Sequence, residues 1–280
     1  MTFSLRQSVA LAAIACAGLG MVSMAEAKTF KWANSGDVSS MDPYARQETF
    51  LLTFTSNIYD PLIRRDKNLK LEPALAEKYG QKDPTTWFFD IRPNVKFHDG
   101  TPLTADDVVF SLNRANGPGS NMQSNFVSVK EIKKVGDLKV EVTTKYPDPL
   151  LADKWAALAI MSKAWAEKHN VTKPQSYKDK EETYAVRNAM GTGPYTLKQR
   201  DPDVKTVMAK NPTYWGKTQF PDYPDELVYT PIKEPSTRVA ALISGQVDFV
   251  LDAPLQDIAR IKQTAGLKTE ETAQVRSIFL

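Results

Sequence analysis

The chain has 280 residues, with 36 Lys and Arg against 33 Asp and Glu for a formal net charge of +3, and 42% apolar and 10% aromatic residues. Such a composition supports a packed core and argues against disorder. The basic excess is thinly spread, its densest clusters being pairs such as Arg64-Arg65 and Lys133-Lys134; nucleic-acid surfaces gather Lys and Arg on one face, so no nucleic-acid partner is expected.

Residues 1–27 read as a cleaved secretory signal. Arg6 supplies the positive start, residues 9–22 are apolar, and Ala25-Glu26-Ala27 has the small-x-small pattern of a cleavage site. Cys16 would leave with this segment. It lies three residues after Ala13 and before an apolar stretch, which departs from the lipoprotein pattern. The mature chain would therefore carry no cysteine, excluding disulfides, thiol catalysis and Cys-ligated zinc. No later stretch is apolar for the ~20 residues a membrane span needs, so a mature chain embedded in a membrane is not expected.

Residues 29–33 form a short expected strand, 36–43 a loop, and 48–59 a helix stopped by Asp60-Pro61, since the residue before proline avoids the α region. Residues 86–92 (TWFFDIR) read as a buried strand, and Asp99-Gly100 as a tight turn. The clearest helix is 104–114: Thr104 can cap it, Asp107 completes a capping box, and Asp106 and Asp107 suit the positive end of the dipole. A flexible glycine-rich loop follows at 117–125. Residues 129–135 and 138–144 form a hairpin, 149–160 and 163–169 two helices, and 171–182 an exposed polar connection. In the second half, 194–198 and 204–209 pair as strands, and 211–220 is an aromatic-rich turn. Then come a strand (226–230), a helix closed by Gly245 (235–244), a strand (247–251), a helix (254–263) and a strand (268–271). This mixture predicts an α/β (α+β mixed) fold.

Catalytic signals are weak. His98 and His169 are the only histidines, and His98 beside Asp99 reads as a turn pin. No HExxH or GxSxG motif occurs. Gly191-Thr192-Gly193-Pro194 lacks the Gly-Lys-Ser/Thr of a phosphate loop, and Pro194 removes an N–H. Helix capping accounts for Asp106-Asp107. The expectation is a protein that is not an enzyme, with no metal site and no cofactor.

Residues 75–114 (LAEKYGQKDPTTWFFDIRPNVKFHDGTPLTADDVVFSLNR) closely resemble the signature of the extracellular solute-binding family 5, the dipeptide, oligopeptide and nickel binding proteins of ABC importers. Met41-Asp42-Pro43, GTGPY at 191–195, NPTYWG at 211–216 and STRVAALISGQVDF at 236–249 agree, in family order. One departure is Asp83-Pro84-Thr85, where the family usually has an Asp-Gly turn.

The resemblance implies a periplasmic binding protein-like two-lobe clamp of which this chain holds the first lobe. Residues 28–47 plus 188–272 would be the ligand-facing domain, 48–187 a family-specific accessory domain, and 273–280 the start of a strand crossing to a second lobe beyond this sequence. It further implies ligand contacts at Gln47, Glu48 and Thr49, with Asn121, Phe126 and Arg276 as further candidates, while Tyr214 and Trp215 pack a structural turn. The implied partners are a peptide or other small solute and ABC permease subunits, with the protein a monomer. Nickel complexes, oligosaccharides or opines are alternative solutes. A periplasmic chaperone or enzyme on the same scaffold is the alternative role.

Overall fold

The computed structural model describes residues 27–219 and 221–271. The expected signal segment up to residue 26 and the candidate Arg276 lie outside the described residues.

In chain order the elements are β1 (Thr29–Asn34), α1 (Thr49–Thr55), β2 (Ile63–Arg65), β3 (Leu71–Pro73), β4 (Ala76–Asp83), β5 (Thr86–Ile91), α2 (Ala105–Ala115), β6 (Val129–Gly136), β7 (Lys139–Thr144), α3 (Leu151–Trp155), α4 (Lys163–Lys168) and α5 (Tyr184–Arg187). They continue with β8 (Tyr195–Asp201), β9 (Lys205–Lys210), β10 (Glu226–Pro231), α6 (Pro235–Ile243), β11 (Phe249–Val250) and α7 (Ile258–Gln263).

The strands form a five-stranded sheet in the order β11-β1-β10-β9-β8, a four-stranded sheet in the order β4-β5-β7-β6, and the small pair β2-β3. In the first sheet β1 runs parallel to both β10 and β11, and β8 and β9 extend it as an antiparallel hairpin. The second sheet is antiparallel throughout. This is the mixed α/β fold expected from the pattern.

Local chemistry explains most elements. In β5, Trp87, Phe89 and Ile91 alternate inward, and their partners Val142 and Val140 on β7 face the same way. The α2 capping box forms: the Asp107 carboxylate accepts from the Thr104 amide at 3.0 Å and its hydroxyl at 2.8 Å. Pro235 occupies the first turn of α6, and Gly245 follows that helix with φ +73, a conformation glycine adopts without a Cβ clash.

The core gathers where α1 crosses the five-stranded sheet. Trp32 and Tyr229 have ring centroids 4.4 Å apart, and Phe54 lies 5.3 Å from Tyr229. One buried cluster continues from there through Phe89, Trp155 and Ile160. A second, built from Ala33, Val239, Leu242, Val247 and Ile261, seats α6 and α7 against the end of β1.

Three expectations are corrected. Residues 149–160 hold only the single turn of α3, after which Ile160 donates its amide to the Asp60 carbonyl at 2.9 Å and the chain leaves the helix. Residues 268–271 form no strand. The segment 171–182 is not simply exposed: Val171, Pro174 and Gln175 are buried, for the reason given next.

Candidate functional site

Ligands of open α/β sheets gather at the carboxyl ends of parallel strands. The chain leaving that end of β1 forms a loop that lies over the core and enters α1 at Thr49, and Asp42 fixes its course. This carboxylate and the side chain of Arg114, at the end of α2, are both fully buried and pair two-pronged, Nη1 to Oδ1 at 2.8 Å and Nη2 to Oδ2 at 2.6 Å. The Asp42 oxygens also accept from the amides of Tyr44 at 3.1 Å and Gln175 at 2.9 Å. Arg114 donates further to the carbonyls of Val171 at 3.0 Å and Lys173 at 2.9 Å. Burial works against the Arg114 charge, but Asp42 outweighs it and holds the guanidinium above its ordinary value. One ion pair thus ties together the loop after β1, α2 and residues 171–175.

The strap that follows carries three of the expected ligand residues. Gln47 and Thr49 are exposed and Glu48 is half-buried. Glu48 is extended, φ −126 and ψ 132; its side chain does not cap α1 and instead pairs with Arg46 at 3.0 Å. Asn121 is exposed and brought to the strap: its amide donates to the Tyr44 carbonyl at 3.0 Å and its side chain to that of Ala45. Ser124 donates to Gln47 Oε1 at 3.4 Å. The fold therefore brings the loop of Asn121 against the strap that carries Gln47, Glu48 and Thr49. Phe126 behaves differently. Its ring is buried against Trp155, centroids 5.2 Å apart, so it supports the surface from beneath and presents no face to a ligand.

The Gly-Thr-Gly segment is a junction. The Gly193 amide donates to the Ile58 carbonyl at 2.9 Å, and a Cβ at Gly191 would lie 2.0 Å from that oxygen. Thr192 Oγ1 and Trp215 Nε1 each donate to the buried Asp60 carboxylate at 2.8 Å, and Tyr214 OH at 3.3 Å. Burial raises the Asp60 carboxyl above its usual range, opposed by these donors. His98 Nε2 donates to the Gly193 carbonyl at 3.1 Å, and burial lowers the ring to about 4. These contacts match the structural reading of His98, Tyr214 and Trp215.

Cavities open elsewhere. One of about 410 Å³ lies between α2 and residues 172–174, and one of about 290 Å³ between α1 and residues 156–159; neither includes a sequence-predicted ligand residue. Among the described residues, no helix is long and apolar enough to cross a membrane, and no three His, Cys, Asp or Glu side chains converge as metal ligands.

Residues 70–280 match the model of the bacterial extracellular solute-binding proteins, family 5 Middle. The chain belongs to this family. Among its family 5 relatives is the periplasmic oligopeptide-binding protein OppA of Escherichia coli (strain K12), 27% identical, the alignment taking in 91% of this chain and 48% of OppA. The chain thus spans about half the length of the curated relatives it matches. Of solved structures, DppA from Helicobacter pylori in complex with the peptide STSA is 26% identical, with a TM-score of 0.72 over 85% of this chain and 49% of that one. AgaA from A. tumefacien R10 in complex with agropinic acid is 27% identical, with a TM-score of 0.74 over 85% and 46%. Like these relatives, the chain has the mixed α/β fold of a periplasmic binding protein.

Proposed function

We propose that this protein is the solute-binding component of an ABC importer, capturing peptides or similar small solutes in the periplasm and delivering them, as a monomer, to membrane permease subunits. The family 5 match across residues 70–280 carries this reading, and relatives named for oligopeptide and peptide binding support it. Residues 28–47 and 188–272 then act as the ligand-facing domain and 48–187 as the accessory domain. The stretch 273–280, with Arg276, begins the crossing to a second lobe.

An importer has to distinguish loaded from empty receptor. A clamp does so because its ligand touches both lobes only when they close. Moving such an equilibrium from 1:99 to 99:1 takes about 5.5 kcal/mol of differential affinity. Gln47, Glu48, Thr49 and Asn121 would meet the ligand's backbone as an added strand. Its side chains would enter wet pockets, where bridging waters cost little.

The test is mass spectrometry of whatever co-purifies with the full-length protein, followed by calorimetry with the solute identified. A short peptide bound more tightly than millimolar is expected, on a protein whose amino terminus is Lys28. An unrelated solute or none would sink the peptide reading, and an amino terminus at Cys16 would sink the cleavage. The likeness to AgaA favours an opine-like acid as second reading, which the same spectrum would reveal.

A further inference from the structure

Arg46 sits on the strap between the Asp42 knot and the proposed ligand residues, half in solvent. Its guanidinium carbon lies 4.5 Å from the centroid of the Tyr177 ring, within cation–π range. Nη1 donates to Tyr177 OH at 3.3 Å and forms an ion pair with Glu48 Oε2 at 3.0 Å. Nε and Nη2, the edge that matches a carboxylate two-pronged, make no hydrogen bond among the described residues.

Both supports of this guanidinium hang from one carboxylate. Asp42 Oδ1 takes the Tyr44 amide ahead of Arg46, and Oδ2 takes the Gln175 amide ahead of Tyr177. The Tyr177 loop is closed by Ser176 donating to Asp179 at 2.6 Å and by its amide donating to Glu181 Oε2 at 2.9 Å. A long side chain on a surface ordinarily loses rotamer freedom when it binds. Here the stack, the anchored nitrogen and the buried knot have already restricted it.

We propose that Arg46, held on Tyr177, is a carboxylate receptor at the rim of the ligand site, so that the solute carries an anionic carboxylate on the part that reaches the strap. The proposal rests on the solute-receptor reading and narrows its substrate class. Arg46 is the binding residue, and Tyr177 positions it. Glu48 tempers it, because a fixed negative charge beside the fork opposes an incoming anion.

The experiment is calorimetry on the full-length protein with the tripeptides Ala-Glu-Ala, Ala-Gln-Ala and Ala-Gln-Ala amide. A loss from Glu to Gln assigns a side-chain carboxylate, and a loss from acid to amide a terminal one. We expect one of these steps to weaken binding about tenfold, the scale of a charge-assisted pair. That preference should vanish in Arg46→Gln, shrink in Arg46→Lys and Tyr177→Leu, and grow in Glu48→Gln. Melting curves confirm that each variant is folded, which the exposure of these side chains favours. Equal binding of all three peptides, or a preference that survives Arg46→Gln, overturns the carboxylate receptor and leaves the solute-receptor reading standing. No binding of any peptide by the unaltered protein overturns both.

Discussion

Asp42 and Glu48 are near neighbours in sequence and each pairs with an arginine, yet their surroundings are opposite. The side chains of Asp42 and Arg114 have no solvent exposure, and Asp42 also accepts two amides. Those of Glu48 and Arg46 are 43% and 40% exposed, and part of the Arg46 fork is open. A buried pair answers to desolvation, so removing one partner strands the other charge in a low-dielectric interior. An exposed pair is screened and can exchange partners with little loss of stability. The first region fixes geometry, and the second has chemistry to spare.

Substituting Arg114 should have the largest effect. Arg114→Leu leaves Asp42 uncompensated and two carbonyls without donors, and should cost about 3–5 kcal/mol in urea unfolding. Arg114→Lys should recover only part, because an ammonium cannot reproduce the fork. A loss below ~1 kcal/mol would show that the knot relaxes or takes up water, and would erase the contrast between the two pairs.

A pH titration of stability probes another buried group. The His98 ring is held at about 4 against an ordinary 6.5. Over that interval the unfolded chain takes up a proton that the folded ring refuses. The His98 contribution is therefore complete above pH 6.5 and is lost as the pH falls towards 4, by at most about 3 kcal/mol. Asp60, raised by burial, acts with the opposite sign: the folded state holds the extra proton, and its contribution declines as pH rises above the ordinary carboxylate value. The difference between the unaltered protein and His98→Gln isolates the histidine. Curves that stay parallel from pH 6.5 to 4 would show that the ring protonates in the folded state.

Much smaller shifts are expected on the surface. Arg46→Gln should change unfolding free energy by less than ~1 kcal/mol, whatever it does to ligand preference. Lys163→Ala, which removes the exposed pair with Glu167 one helical turn on at 3.8 Å, should fall within about 0.5 kcal/mol. A surface variant as damaging as Arg114→Leu would mean that exposure does not separate the two classes of charge here.

The comparison also explains which parts of the molecule were legible in the sequence. The α2 capping box, the β6–β7 hairpin and the glycine after α6 rest on residues a few positions apart, and all three form as expected. Asp42 and Arg114 were both visible within family motifs, but nothing local says that they meet. The burial of Gln175 depends on a partner 133 positions away, so a polar stretch looked like an exposed connection. Phe126 shows the same limit within the site. It lies beside the Asn121 loop, but nothing local announces Trp155, against which its ring is buried. The Gly-Thr-Gly segment carried a usable signal, since paired glycines mark close backbone approach as readily as phosphate binding, and the approach here is to Ile58.

The strand order of the five-stranded sheet bears on how the protein comes into being. β1 is the first of the described strands, yet both of its neighbours, β10 and β11, come roughly 200 positions later. During synthesis β8, β9 and β10 can pair in succession from adjacent chain, while β1 waits with two unsatisfied edges and with Trp32 covered only by Phe50 and Phe54 of α1 until Tyr229 arrives. Such distant pairing slows folding, and a strand left waiting is open to pairing with other chains. Closure of the sheet around β1 is therefore a late event, and damage to β10 should leave the amino-terminal strand with only the two residues of β11 to pair with.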